Sequence, residues 1–118
     1  NLKFNKAKNI IGLYLSSNNI KNINKNIFSN LVNLNYVSFA GNEIENLRNF
    51  TFANLINLID LDLQFNDINK IDLNSFRGLS KLEYLNLQAN MIEIIKNEYF
   101  IDLISLKQLN LKWNEIEI

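Results

Sequence analysis

Apolar residues return along the chain in a fixed figure. Between residues 58 and 79 they stand at Leu58, Leu61, Leu63, Ile68, Ile71, Phe76 and Leu79, and a shift of 24 residues gives Leu82, Leu85, Leu87, Ile92, Ile95, Phe100 and Leu103. The same shift backwards gives Leu34, Val37, Phe39, Ile44, Leu47, Phe52 and Leu55, then Ile10, Leu13, Leu15, Ile20, Ile23, Phe28 and Leu31; Leu106, Leu109, Leu111 and Ile116 begin a further copy. Every one of these positions is apolar in a chain that is 47% apolar, so the period is a structural repeat and not chance. The copies run 10–33, 34–57, 58–81 and 82–105. Residues 1–9 read as the tail of an earlier copy, with Phe4 one period before Phe28 and Ala7 in place of the expected Leu. Residues 106–118 read as a partial copy, so the whole chain, 1–118, is one repeat segment cut within repeats at both ends.

Each copy predicts one short strand. Alternation puts Leu61 and Leu63 on one face and Asp60, Asp62 and Gln64 on the other, the period-two pattern of a half-buried strand. One strand per coil, stacked about 4.8 Å from the next, builds a parallel sheet. A lone coil cannot bury enough apolar surface to offset the entropy of ordering it, so neighbours must supply the difference. Asn18, Asn42, Asn66, Asn90 and Asn114 recur where the chain turns off the sheet, and an amide can both donate to and accept from backbone there, which predicts a buried structural ladder. Phe28, Phe52, Phe76 and Phe100 predict a stacked spine on the far side of the core.

Composition narrows the chemistry. Twelve basic and twelve acidic residues balance to zero net charge, which gives no electrostatic case for nucleic acid or an anionic membrane surface. His, Cys and Pro are absent, which removes thiolate chemistry, His-based acid/base catalysis, Cys/His metal sites and disulfides together. No apolar run is long enough for a spanning helix, so this segment is not expected to insert into a membrane. The expectation is no catalytic residue, no cofactor and no metal.

The figure L-x-x-L-x-L-x-x-N-x-I-x-x-I-x4-F-x-x-L resembles the leucine-rich repeat in its 24-residue, Phe-containing form. The resemblance covers nearly the whole chain and implies an α/β solenoid, a horseshoe segment with one parallel sheet on the concave face and an irregular or short helical convex side. Repeats of this form are similar to those of animal extracellular proteins such as Toll-type receptors, chaoptin-like adhesion proteins and Slit-like guidance proteins. That implies ligand or cell-surface recognition with signalling or adhesion as output. It also implies an extracellular or cell-surface location, with a protein ligand or co-receptor as partner. An intracellular scaffold or regulatory subunit of the same architecture is the alternative. Two features depart from the family pattern: no Pro follows the second Ile, where Asn24, Arg48, Asp72 and Lys96 stand, and Asn, Ile and Lys are abundant. The Cys-rich caps common in extracellular members are missing.

Recognition is expected from residues the core does not claim. The outward strand columns differ from copy to copy: Gly12, Tyr36, Asp60, Tyr84, Gln108; then Tyr14, Ser38, Asp62, Asn86, Asn110; then Ser16, Ala40, Gln64, Gln88, Lys112. Just beyond come Ser17, Gly41, Phe65, Ala89 and Trp113. An invariant framework beside a variable face suits a binding module. Tyr14, Tyr36, Asp60, Asp62, Phe65, Tyr84, Asn86 and Trp113 are the candidate partner-binding residues of the concave face, with Tyr36, Tyr84, Phe65 and Trp113 as anchors. Phe65 and Trp113 are equally readable as covers for the turn edge of the sheet. Asp60 and Asp62 project to the same side and admit three roles: a solvated acidic face, a docking point for a basic partner, or a Ca²⁺ or catalytic carboxylate pair. Lys107 and Lys112 make the strip change sign along its length. Asn49, Phe50 and Thr51 form a glycosylation sequon, placed by the register on the convex side.

Overall fold

A computed structural model describes residues 9–117 of the chain; all but the last residue of the expected tail copy 1–9, Phe4 and Ala7 included, and residue 118 lie outside them. Seven short strands follow in chain order: β1 (Gly12–Tyr14), β2 (Tyr36–Ser38), β3 (Asn46–Leu47), β4 (Asp60–Asp62), β5 (Lys70–Ile71), β6 (Tyr84–Asn86) and β7 (Gln108–Asn110). Five of them form one parallel sheet in the order β1-β2-β4-β6-β7. Its register is the sequence period itself, pairing Leu13 with Val37, Val37 with Leu61, Leu61 with Leu85 and Leu85 with Leu109. The chain is a parallel-sheet solenoid, as the period-two pattern and the resemblance both imply.

The inward residues of the second and third coils, Leu34 to Leu55 and Leu58 to Leu79, are all buried. Coverage thins outward from there. Leu15, Ile20 and Ile23, then Ile95 and Phe100, and finally Leu106, Leu109, Leu111 and Ile116 are only partly buried against the same core. A coil in mid-stack is covered on both sides, whereas one at the edge of a stack is covered on one. Phe28, Phe52, Phe76 and Phe100 stack with ring centroids 6.0, 6.3 and 6.0 Å apart. The planes of Phe52 and Phe76 lie within 5° of parallel, while Phe28 is tilted by 40° against Phe52.

The four amides Asn42, Asn66, Asn90 and Asn114 each bridge two coils. The Asn66 amide nitrogen donates to Phe39 O of the preceding coil at 3.0 Å and to Leu63 O of its own at 3.1 Å, and its oxygen accepts from Ile44 N–H at 3.1 Å. Asn90 repeats this with Leu63 O, Leu87 O and Ile68 N–H, and Asn114 with Leu87 O, Leu111 O and Ile92 N–H. Asn42 bonds Leu15 O and Phe39 O and accepts from both Asn18 and Ile20 N–H. Asn18 differs: it is exposed and its amide donates to Ser16 O, within its own coil.

Beyond the asparagine turns the chain returns through tight i→i−3 turns. They are regular enough to form 3₁₀ helices at Lys25–Phe28 and Asn97–Phe100, the first capped by the Asn24 side chain, which accepts from Asn26 N–H at 2.9 Å. A second, two-stranded parallel sheet, β3 with β5, joins Asn46 to Lys70 and Leu47 to Ile71, an element the apolar pattern does not announce. Among the described residues no helix is long and apolar enough to cross a membrane.

Candidate functional site

The outward column of the sheet carries Gly12, Tyr36, Asp60, Tyr84 and Gln108 in register, each paired with the next. Tyr36, Asp60, Asp62, Tyr84, Asn86 and Gln108 line one open depression of about 230 Å³. Tyr14 lies at its flank, with its ring centroid 4.8 Å from that of Tyr36 and itself largely exposed. Ser38, expected among the outward residues, is buried: its hydroxyl lies 3.1 Å from Ser16 Oγ and hydrogen-bonds Tyr36. A short side chain between longer neighbours is covered by them, which period-two alternation alone does not show.

The two carboxylates differ in role. Asp62 is held by Gln64, whose backbone N–H reaches Oδ1 at 3.1 Å and whose side-chain amide reaches Oδ2 at 2.8 Å. The fifth repeat position makes the same local bond in other coils: Asn86 accepts from Gln88 N–H, Asn110 from Lys112 N–H and the Ser38 hydroxyl from Ala40 N–H. Asp62 and Asn86 therefore fasten the end of their strands as well as facing the depression. The Asp60 carboxylate has neither a hydrogen-bond nor an ion-pair partner among the described residues. Partial burial pushes its carboxyl above the ordinary range, and the neighbouring Asp62 charge adds to this. Tyr36 is likewise raised, first by burial, against which the Ser38 hydrogen bond acts, and further by Asp62 and Asp60.

Chemically the depression offers two carboxylates with no cation beside them, of which Asp60, framed by tyrosines, also lacks a hydrogen-bond partner. That suits a cationic side chain, which the carboxylate would neutralise and the rings would flank. Two carboxylates, one already engaged, are far from the six to eight oxygens that Ca²⁺ takes, and among the described residues no group of three or more acidic side chains is placed to hold a metal.

Other expected site residues lie elsewhere. Phe65 and Trp113 stand past the ends of β4 and β7, at the turn edge, half or more exposed, with ring centroids 6.4 Å apart. Both have left-handed backbone, φ 54° and 58°. Lys107 is drawn off the strip by Glu83 on the preceding coil, Nζ to Oε2 3.1 Å. Asn49 is exposed and takes Asn74 N–H on its side-chain oxygen at 2.9 Å, while Thr51 of the sequon is buried and donates to Arg48 O.

The leucine rich repeat family model matches residues 33–92 and 56–116. No curated protein sequence matches the chain. Among solved structures, that of a TLR13–ssRNA13 complex is similar with TM-score 0.88 and 31% identity over 91% of this chain and 15% of that one. A Toll–Spatzle complex from Drosophila is similar with TM-score 0.86 and 26% identity over 92% of this chain and 16% of that one. The chain thus spans about a sixth of the length of these relatives. With the sheet register, the asparagine bridges and the family match in agreement, the chain belongs to the leucine-rich repeat family and resembles a horseshoe segment of Toll-type receptors.

Proposed function

We propose that the chain is a recognition segment of a secreted or cell-surface receptor or adhesion protein that takes a protein ligand on its concave sheet face. The observation that carries this is Asp60, an unpartnered carboxylate at the centre of an open sheet, framed by Tyr36 and Tyr84. A fold that gains nothing from such a charge keeps it for something outside. The ligand contact is a Lys or Arg side chain seated on Asp60 between the two rings, with Tyr14 and Asn86 at the margin. Similarity to Toll-type ectodomains supports the extracellular setting. TLR13 was solved with single-stranded RNA, but Asp60 and Asp62 at the centre of this face would repel a phosphate chain, which favours protein over nucleic acid. Nothing in the site calls for a cofactor or for catalysis. In the same setting Asn49 is a glycan acceptor: it is exposed, off the strands of the large sheet, and a sugar there leaves the ligand face open. Intact mass before and after enzymatic deglycosylation of secreted material tests that.

Site-specific photocrosslinking tests the ligand. A benzophenone side chain at position 36 or 84, in the protein displayed by the cells that make it, is expected to yield an adduct sensitive to protease and resistant to ribonuclease. The same group at position 94, exposed and off the large sheet, is expected to yield none. An adduct removed by ribonuclease, or equal capture at position 94, would refute the reading.

A further inference from the structure

The eighth position of every coil, the residue before each repeating asparagine, has left-handed backbone: φ is 55° at Ser17, 68° at Gly41, 54° at Phe65, 55° at Ala89 and 58° at Trp113. At four of the five positions the N–H donates to the carbonyl before the equivalent residue of the next coil, as from Phe65 N to Gln88 O at 3.0 Å and Ala89 N to Lys112 O at 2.8 Å, and Trp113 shares the conformation without that bond, so it belongs to the repeat's turn. Glycine suits such a conformation and bulky side chains resist it. Ser17, Gly41 and Ala89 fill the position with little or no side chain, so the fold has no need of an aromatic there. Yet Phe65 and Trp113 put rings at two of the five positions, 51% and 71% exposed, leaning toward each other across the coil of Ala89.

Beside them lies unbalanced charge. The tenth repeat position reads Asn19, Glu43, Asp67, Met91, Glu115 and the twelfth Lys21, Glu45, Asn69, Glu93, Glu117. Backbone bonds hold the tenth column in register, Asp67 N to Ile44 O at 3.0 Å and Glu115 N to Ile92 O at 3.0 Å. Six of the chain's twelve carboxylates thus fall in the two columns that follow the ring positions along the chain. None of the six makes an ion pair; among the described residues those are Arg77–Asp102 and Lys107–Glu83. Lys21 is the only basic residue of the two columns, and the exposed Met91 interrupts the acids at the coil of Ala89.

We infer that this turn edge is a second docking surface, separate from the concave face, and that its occupant is a basic protein segment anchored by an apolar side chain packed onto the Phe65–Trp113 ring pair. Apolar anchoring needs exposed rings of this kind, and flanking Lys or Arg residues would be drawn to the acidic columns and to the ring faces. The same charge disfavours nucleic acid and anionic lipid.

Trp113 is the sole tryptophan, so its fluorescence reports this surface directly. The whole chain is titrated with a synthetic peptide of alternating lysine and leucine and with the counterpart carrying glutamate for lysine. The lysine peptide is expected to shift Trp113 emission to the blue, saturably and less so in high salt, and the glutamate peptide to leave it unmoved. Phe65→Gly, which suits the left-handed backbone, should weaken that binding by about tenfold or more without lowering the melting temperature, whereas Tyr84→Ala on the concave face should leave it unchanged. Equal response to both peptides, no response to either, or full affinity in folded Phe65→Gly would overturn the inference. So would a concentration-dependent dimer, seen by sedimentation and dispersed by Phe65→Gly, which would make a second copy of the chain the occupant.

Discussion

Ala89 holds a left-handed backbone, φ 55°, in a solenoid that demands it there, and its methyl group is the only obstacle. Ala89→Gly is expected to stabilise the fold by about 1 kcal/mol, the cost of an L side chain in that region less the extra freedom of glycine in the unfolded chain, and a thermal melt should move up by a few degrees. Asp60 makes the opposite kind of sacrifice. Its carboxyl is raised in the folded chain, so the folded state holds the proton more tightly than the unfolded state does. Stability therefore falls as pH rises from the ordinary carboxylate value through the folded one, and the penalty is complete above that window. Asp60→Asn should raise the urea midpoint at neutral pH and lose that advantage in acid, while weakening ligand capture. A variant less stable than the parent at pH 7 would show that Asp60 has a favourable partner. Neither residue could be read this way from the sequence. The eighth position holds Ser, Gly, Phe, Ala and Trp, so residue type conceals a shared backbone conformation of which Gly41 is the lone hint.

Asparagine bridges and phenylalanine stack are the elements that turn separate coils into one body. Asn66→Ala removes the acceptor of Ile44 N–H and the donor to Phe39 O and Leu63 O, all within the core. The expected loss is about 1–3 kcal/mol, read from the denaturation midpoint. Phe76→Ala empties a site packed between Phe52 and Phe100 and should cost about 3–5 kcal/mol. The sheet and its register were legible because apolar spacing encodes them at every coil. The small β3–β5 sheet was not, since Asn46-Leu47 and Lys70-Ile71 differ from their neighbours by nothing a period-two pattern detects. Cross-coil pairing was partly legible. Glu83 and Lys107 are opposite charges one period apart, and that signal would have removed Lys107 from the ligand strip. The gathering of Tyr36, Asp60, Asp62 and Tyr84 into one depression follows from register, whereas the burial of Ser38 and the capture of Asp62 by Gln64 depend on side-chain conformations that spacing does not carry.

Over the whole molecule, burial is complete in the middle coils and partial toward both edges of the stack. Amide hydrogen exchange should follow this gradient, slowest at Phe39 and Leu63 in the middle coils, both bonded across the sheet, and fastest at Leu13 and Leu109 in the outermost strands. Uniform protection would mean that the coils open as one unit. The asparagine bridges add a direction to the gradient. Each amide reaches back to the coil before it, never forward, so a coil's turn is completed only when the next asparagine arrives. On the ribosome, where chain emerges from its N-terminal side, every newly delivered coil would latch its predecessor. Assembly is then a zipper with a built-in sense of travel: each coil waits unlatched for only one further period of synthesis, and a stall leaves a single open turn at the growing end.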